Sequence, residues 1–288
     1  MIWILLTILS ATGIFVFFKL FDKFKVPTLN AIVINYFVAG VLGFFLTENV
    51  TGVVDLFSES WFYIAVIIGV LFIVMFFVIG KSSAVSGMSL TTLASKMSVV
   101  IPILFSIVYY GEALTSVKIV GIIMALIGLV LAVLKKQEGG KVGQQVILPI
   151  VLFLGMGSVD SLVKFAQQEY VTDDISSVFT SLLFSISFIV GLIIMLFKPK
   201  SFKDFANPKC LLLGVGLGIV NYGSIYFLIR ALNSSVMDSS VIFGINNISI
   251  VALSALIGFV FFKERLSKLN WIGLFVCMVA IAVLYITK

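Results

Sequence analysis

Lys96 is the residue of this chain best placed to do chemistry, because it stands where a charge is costly. It falls inside an apolar run, 88–110, that holds no other charged side chain. Counting ~1.5 Å per helical residue, Lys96 lies ~12 Å below the start of that run. A lysine at such depth costs ~2.5–3.5 kcal/mol on insertion scales. It is therefore expected to face a cavity or an acidic partner, and to meet an anionic group of a solute. The plainer alternative is that it snorkels back to the nearer surface. Thr91, Ser95, Ser98, Pro102 and Ser106 recur beside it at steps of three and four, one polar face of a helix. Pro102 removes a backbone bond and is expected to kink the helix, leaving the Ser98 carbonyl free to line the cavity.

A second polar face falls in 236–262, where Ser239, Phe243, Asn246, Asn247, Ile250 and Ser254 share one side. Each amide carries two donors and an acceptor, so the adjacent pair Asn246 and Asn247 needs a neighbouring helix or a solute. In 209–230, Tyr222, Tyr226 and Arg230 recur at steps of four. The arginine reads as interfacial, and the tyrosines as cavity wall or as an aromatic belt. In 145–165, Asp160 and Lys164 have the spacing of an intrahelical ion pair. Such a pair is structural, or else Asp160 takes up and releases a proton under the influence of Lys164. The candidate substrate-binding residues are thus Lys96, Ser95, Tyr222, Tyr226, Asn246 and Asn247. Asp160 and Lys164 are the candidates for proton coupling.

Enzyme chemistry has little to work with. The chain has no histidine, no HExxH, no CxxC and no GxSxG. The Gly214-Val-Gly216-Leu-Gly218 run lacks the preceding strand of a dinucleotide fingerprint. Cys210 and Cys277 stand alone in apolar runs and read as buried thiols, neither a disulfide framework nor a metal set. No cofactor and no metal are expected.

The elements that must position these residues are membrane-spanning helices. The chain is 61% apolar and 11% charged, against ~25% charged in a soluble domain. A span needs ~20 apolar residues. Ten segments qualify: 2–21, 29–47, 61–80, 88–110, 114–134, 145–165, 174–197, 209–230, 236–262 and 268–287. The linkers between them are too short for a soluble domain. The first segment lacks a basic start and a cleavage site, so it reads as a retained span. The net charge of +6 reflects loop asymmetry, and no nucleic-acid partner is expected.

The chain repeats itself. Gly111-Glu112-Ala113-Leu114 after the fourth segment returns as Lys263-Glu264-Arg265-Leu266 after the ninth, and Gly121 then matches Gly273 without a gap. The two turn glutamates are expected to be structural, each capping the helix that follows. Lys19 in the first segment aligns with Lys164 in the sixth. These matches define two homologous five-helix halves, 1–137 and 145–288, with a seam at Gly139-Gly140-Lys141. Five spans each, an odd number, turn the second half upside down relative to the first, the arrangement from which alternating access follows. The fold class expected is an all-α membrane protein of ten transmembrane helices in two inverted repeats. Glycines at close spacing, Gly40 with Gly43, Gly121 with Ala125 and Gly214 with Gly218, mark helix contacts. Loops after the odd-numbered segments hold fourteen lysines and arginines against four on the opposite side, which places both termini outside the cytoplasm.

These residues resemble the drug/metabolite transporter superfamily, in particular its ten-span EamA-type branch. The resemblance covers nearly the whole chain. It is most specific in the doubled ending, Gly111-Glu112-Ala-Leu114 with Gly121 and Gly128, and Glu264-Arg-Leu266 with Gly273. It implies two inverted five-helix halves, a cavity lined by spans 1, 3, 4, 6, 8 and 9, a bacterial cytoplasmic membrane, and transport of small metabolites or drugs. The family's proline lies about three residues further from the turn glutamate than Pro102 does, and its bacterial members are drawn with cytoplasmic termini. Small multidrug-resistance relatives carry a membrane glutamate where this chain has Ala11 and, in the second half, Met156. With that acid missing and Lys96 the deepest charge, the expected solute is a carboxylate-bearing or amino-acid-like metabolite, with protons as a possible coupling ion. The rival readings are a lipophilic-cation exporter and a membrane scaffold that transports nothing.

Overall fold

The computed structural model describes residues 1–45, 61–111, 113–133, 143–170, 173–197, 205, 207–233 and 239–286. Among these residues the chain forms eleven helices and no strand. They are α1 (Ile2–Phe24), α2 (Thr28–Phe45), α3 (Phe62–Val85), α4 (Met88–Met97), α5 (Val100–Tyr109), α6 (Ser116–Val133), α7 (Gln144–Glu169), α8 (Asp173–Leu196), α9 (Pro208–Asn233), α10 (Ser239–Val260) and α11 (Lys268–Ile286). Each expected segment is helical to within a few residues, and the fourth is split in two. Seven helices are long and apolar enough to cross a bilayer when α4 and α5 are taken together. These are the dimensions of an integral membrane protein. The stretches Ser116–Ala132, Ile245–Val260 and Lys268–Leu284 are shorter apolar helices. Glu112, the seam at Gly139-Gly140-Lys141, the loop lysines 135, 136, 198, 200 and 203, and the side chains of Ser239 and Phe243 lie outside the described residues.

Local chemistry explains where the helices stop. α1 ends on Lys25 in the left-handed conformation, φ 54°. The Val26 N–H then donates to the Phe21 carbonyl at 2.9 Å, closing the last turn before Pro27. Lys263 repeats this beyond α10, also with φ 54°. The reversal there brings the Glu264 N–H back onto the Gly258 carbonyl at 2.9 Å. α11 opens on a reciprocal cap: the Ser267 N–H donates to Asn270 Oδ1 at 2.9 Å and the Asn270 N–H to Ser267 Oγ at 3.2 Å.

The break between α4 and α5 corrects one expectation. Pro102 does interrupt the ladder, because it has no N–H to offer the Ser98 carbonyl. That carbonyl is nevertheless not free, since it accepts from the Ile101 N–H at 2.9 Å. The turn tightens around Ser98 and Val99 and absorbs the lost bond, so the carbonyl does not line a cavity.

Close packing follows the small residues. α6 and α11 run antiparallel: an added Cβ on Gly121 would meet Leu284 at 2.7 Å, one on Gly128 the Cys277 sulfur at 2.6 Å, and one on Gly273 the Ala132 backbone nitrogen. α2 and α8 also run antiparallel, with Gly40 on Ser185, Gly43 on Ser181 and Gly191 on Val33. α9 packs on α1 and α2, while α3 packs on α7 and α8. Gly214 of α9 lies against Ile34 and the Ala31 carbonyl; Gly69 of α3 lies against Ile186 and the Leu183 carbonyl. Cys210 and Cys277 are both buried thiols.

Candidate functional site

α4 is the innermost element. It packs on α1, α3, α6, α7, α10 and α11. Nine of its ten residues are buried, and the exception is Lys96. Its one charge is thus its most exposed residue. The Thr91, Ser95 and Ser98 face of the sequence reading is buried too, and Thr91 and Ser98 are hydrogen-bonded within the protein. Thr91 Oγ1 lies 2.7 Å from the Gly87 carbonyl and 2.8 Å from Ser82 Oγ. Thr92 donates to the Met88 carbonyl at 2.9 Å, and Ser98 to the Ser95 carbonyl at 2.6 Å.

Across from Lys96 stands Asp160 on α7. The two side chains attract one another electrostatically. They are not in direct contact, since no ion pair within 4.0 Å joins them among the described residues. Asp160 Oδ2 lies 3.4 Å from Ser98 Oγ. Asp160 is exposed and Lys96 partly exposed. Asp160 and Lys96 are thus opposite charges on two packed helices, α7 and α4.

Lys164, one turn beyond Asp160, reaches the Ser106 hydroxyl of α5. On α10, Asn246 is buried and its Oδ1 has no protein hydrogen-bond partner among the described residues. Asn247 beside it is half-buried. α10 packs on α4 and α1, so this amide pair belongs to the same inner wall as Lys96. Tyr222 stacks on Tyr226 with ring centroids 5.8 Å apart, and Arg230 lies over the Tyr226 ring while donating to its hydroxyl at 3.2 Å. Tyr226 and Arg230 share a helix face with the exposed Leu212 and Ile219, which is the outer face of α9.

One cross-helix partnership escaped the sequence reading. Asp160 is the one carboxylate deep inside any of the ten apolar segments, and that isolation was a signal that it must answer Lys96. A second was harder to see. Glu264 does not cap α11, the helix that follows it; Ser267 does. Instead its carboxylate crosses to α4, accepting from the Met88 N–H, from the Ser89 N–H at 3.1 Å and from Ser89 Oγ at 2.7 Å. Lys19 of α1 pairs with it at 3.5 Å and also donates to the Ser83 carbonyl at 3.1 Å.

No family profile matches the chain. An uncharacterized protein of Haemophilus influenzae is 27% identical over 290 residues, covering 98% of this chain and 97% of that protein. A solved crystal structure superimposes with a TM-score of 0.57 at 16% identity, covering 96% of this chain and 95% of that one. The likeness extends from end to end, so the whole chain shares one fold with that structure.

Proposed function

We propose that this protein is a secondary transporter of the drug/metabolite transporter type, with ten spans in two inverted halves, which moves a small carboxylate-bearing or amino-acid-like solute by alternating access. The observation that carries the reading is the pair Lys96 and Asp160, opposite charges on packed helices of an apolar bundle. Lys96 receives the solute's carboxylate, while Asp160 answers an ammonium group or carries a proton. Asn246 and Asn247 hold the polar remainder, and Asn246 Oδ1, which has no hydrogen-bond partner among the described residues, offers an acceptor.

The packing supports two exchangeable halves. Gly121 on Leu284 has its counterpart in Gly273 on Ala132, with the halves exchanged. Gly69 on Ile186 corresponds in the same way to Gly214 on Ile34, and Gly40 on Ser185 to Gly191 on Val33. Corresponding helices pack antiparallel, as inverted repeats require. The lysine bias puts the Lys19 end of the bundle in the cytoplasm. A relative in a bacterium supports a bacterial inner membrane as the location. The reading makes the chain no enzyme.

A second reading rests on the exposure of Asp160: a cationic solute that binds its carboxylate and ignores Lys96. A thermal-shift screen of purified protein against organic acids, amino acids and lipophilic cations separates the two. A ligand at a hundred times its dissociation constant stabilises by ~2.7 kcal/mol. Carboxylate solutes are expected to stabilise wild type and leave Lys96→Ala unmoved. Cations that stabilise Lys96→Ala but not Asp160→Asn select the second reading. No stabilisation by any class, together with no flux in vesicles, ends both.

A further inference from the structure

We propose that the Glu264 carboxylate, seated on the first turn of α4 and paired with Lys19, is the latch that holds the Lys19 end of the bundle closed. The proposal rests on the transporter reading above, because a latch has work only if this end opens. α4 arrives at its N-terminus without a cap of its own: Gly87 makes no side-chain bond there. Its first N–H groups are satisfied by a carboxylate from the other half of the chain. Satisfaction of that helix end is therefore conditional on where the end of α10 stands. A negative group also suits a helix N-terminus.

The seat ties four elements at one point. α10 supplies Glu264 through the reversal at Lys263, α4 supplies Met88 and Ser89, α1 supplies Lys19, and Lys19 reaches on to the Ser83 carbonyl of α3. Two glycines make room for it. A Cβ at Gly87 would stand 2.9 Å from Glu264 Oε1, and one at Gly258 2.6 Å from Oε2. Gly87 has φ +96° and ψ 159°, a conformation reserved to glycine. Immediately outside lies a cavity of about 210 Å³ lined by Lys19, Ser86, Gly87, Gln145, Arg265 and Asn270 as well as Glu264 itself. Lys96 stands ~12 Å further in along α4. Glu264 is thus a partition between an outer polar space and the inner charge of Lys96. If it withdraws, water from the outer cavity can hydrate the α4 N–H groups, which makes opening a tolerable exchange.

The helix packing is asymmetric in the same sense. α1 packs on α3 and on α4, whereas its repeat counterpart α7 has no comparable packing on α9 or α10 among the described residues. The latched end is the shut one.

A cysteine introduced as Thr92→Cys, fully buried on α4 between the latch and Lys96, reports opening through its labelling rate with a membrane-impermeant maleimide added from the Lys19 side. The buried Cys277 and Cys210 serve as monitors of unfolding. Glu264→Gln is expected to raise Thr92→Cys labelling at least fivefold with both monitors silent. Where the monitors react as well, Lys19→Gln decides, since it leaves the α4 cap in place; it is expected to raise labelling at least threefold. A rate within twofold of wild type in Lys19→Gln overturns the latch. The assay needs no solute, so faster labelling without flux retains the latch and removes the transporter reading. Flux with unchanged labelling does the reverse.

Discussion

Lys19 and Lys164 hold corresponding places in α1 and α7 and keep different company. Lys19 pairs with a carboxylate delivered from the far half of the chain, and its ammonium is drawn into a four-element junction. Lys164 meets the Ser106 hydroxyl of α5, a helix beside its own. The two lysines thus differ in the partners described for them. The difference teaches that the Lys19 end is tied by a charged contact between distant parts of the chain. The apolar crossings of α6 with α11 and of α2 with α8 rest on small residues instead.

The largest blow to the contrast is Glu264→Ala. It strips the α4 N-terminus of its cap and leaves Lys19 in a site with little water. Removing one partner of a buried pair costs about 3 kcal/mol or more, and a lost cap about 1 kcal/mol. Chemical or thermal unfolding in detergent is expected to show a combined loss of about 3 kcal/mol, the Lys19 site being partly exposed. A loss under about 1 kcal/mol would mean that the junction is ornamental. Next come the two positive-φ glycines, one at each end. Gly87→Ala places a Cβ against the carboxylate in addition to its backbone strain and is expected to cost about 2–3 kcal/mol. Gly111→Ala, φ +67° with nothing within 4 Å of the new Cβ, is expected to cost only about 1 kcal/mol. Equal effects in the same melting assay would erase the asymmetry. The smallest effect is expected from Lys164→Met, within about 1 kcal/mol of wild type, because it removes a hydrogen bond to a hydroxyl that also donates to the Pro102 carbonyl.

The helices were legible because a bilayer demands ~20 apolar residues at a time, and the segments written from that rule match the observed ones to within a few residues. Lys96 was legible for the complementary reason, that a charge in such a segment needs a cause. Local rules misled at three points. Pro102 was expected to leave the Ser98 carbonyl free, but the tightened turn gave it the Ile101 N–H. Glu264 was assigned to the helix that follows it, since capping is ordinarily a neighbour's task. Its real partners, Met88 and Ser89, lie across the bundle and show no periodicity with it. Asp160 was paired with Lys164 by i, i+4 spacing, while the charge that Asp160 answers stands on α4. Spacing within one helix says which side chains are near, and says nothing of what the opposite helix brings.

The crossing from Glu264 to α4 also has a consequence for how the protein is made. Met88 precedes Glu264 by 176 residues. At ~5–20 residues per second, the ribosome needs roughly 10–35 s after α4 emerges to deliver the group that finishes it. During that interval the nascent first half enters the bilayer with its central helix incomplete. A first half synthesised alone would stay so, and its assembly must await the second half, supplied in the same chain or as a separate fragment.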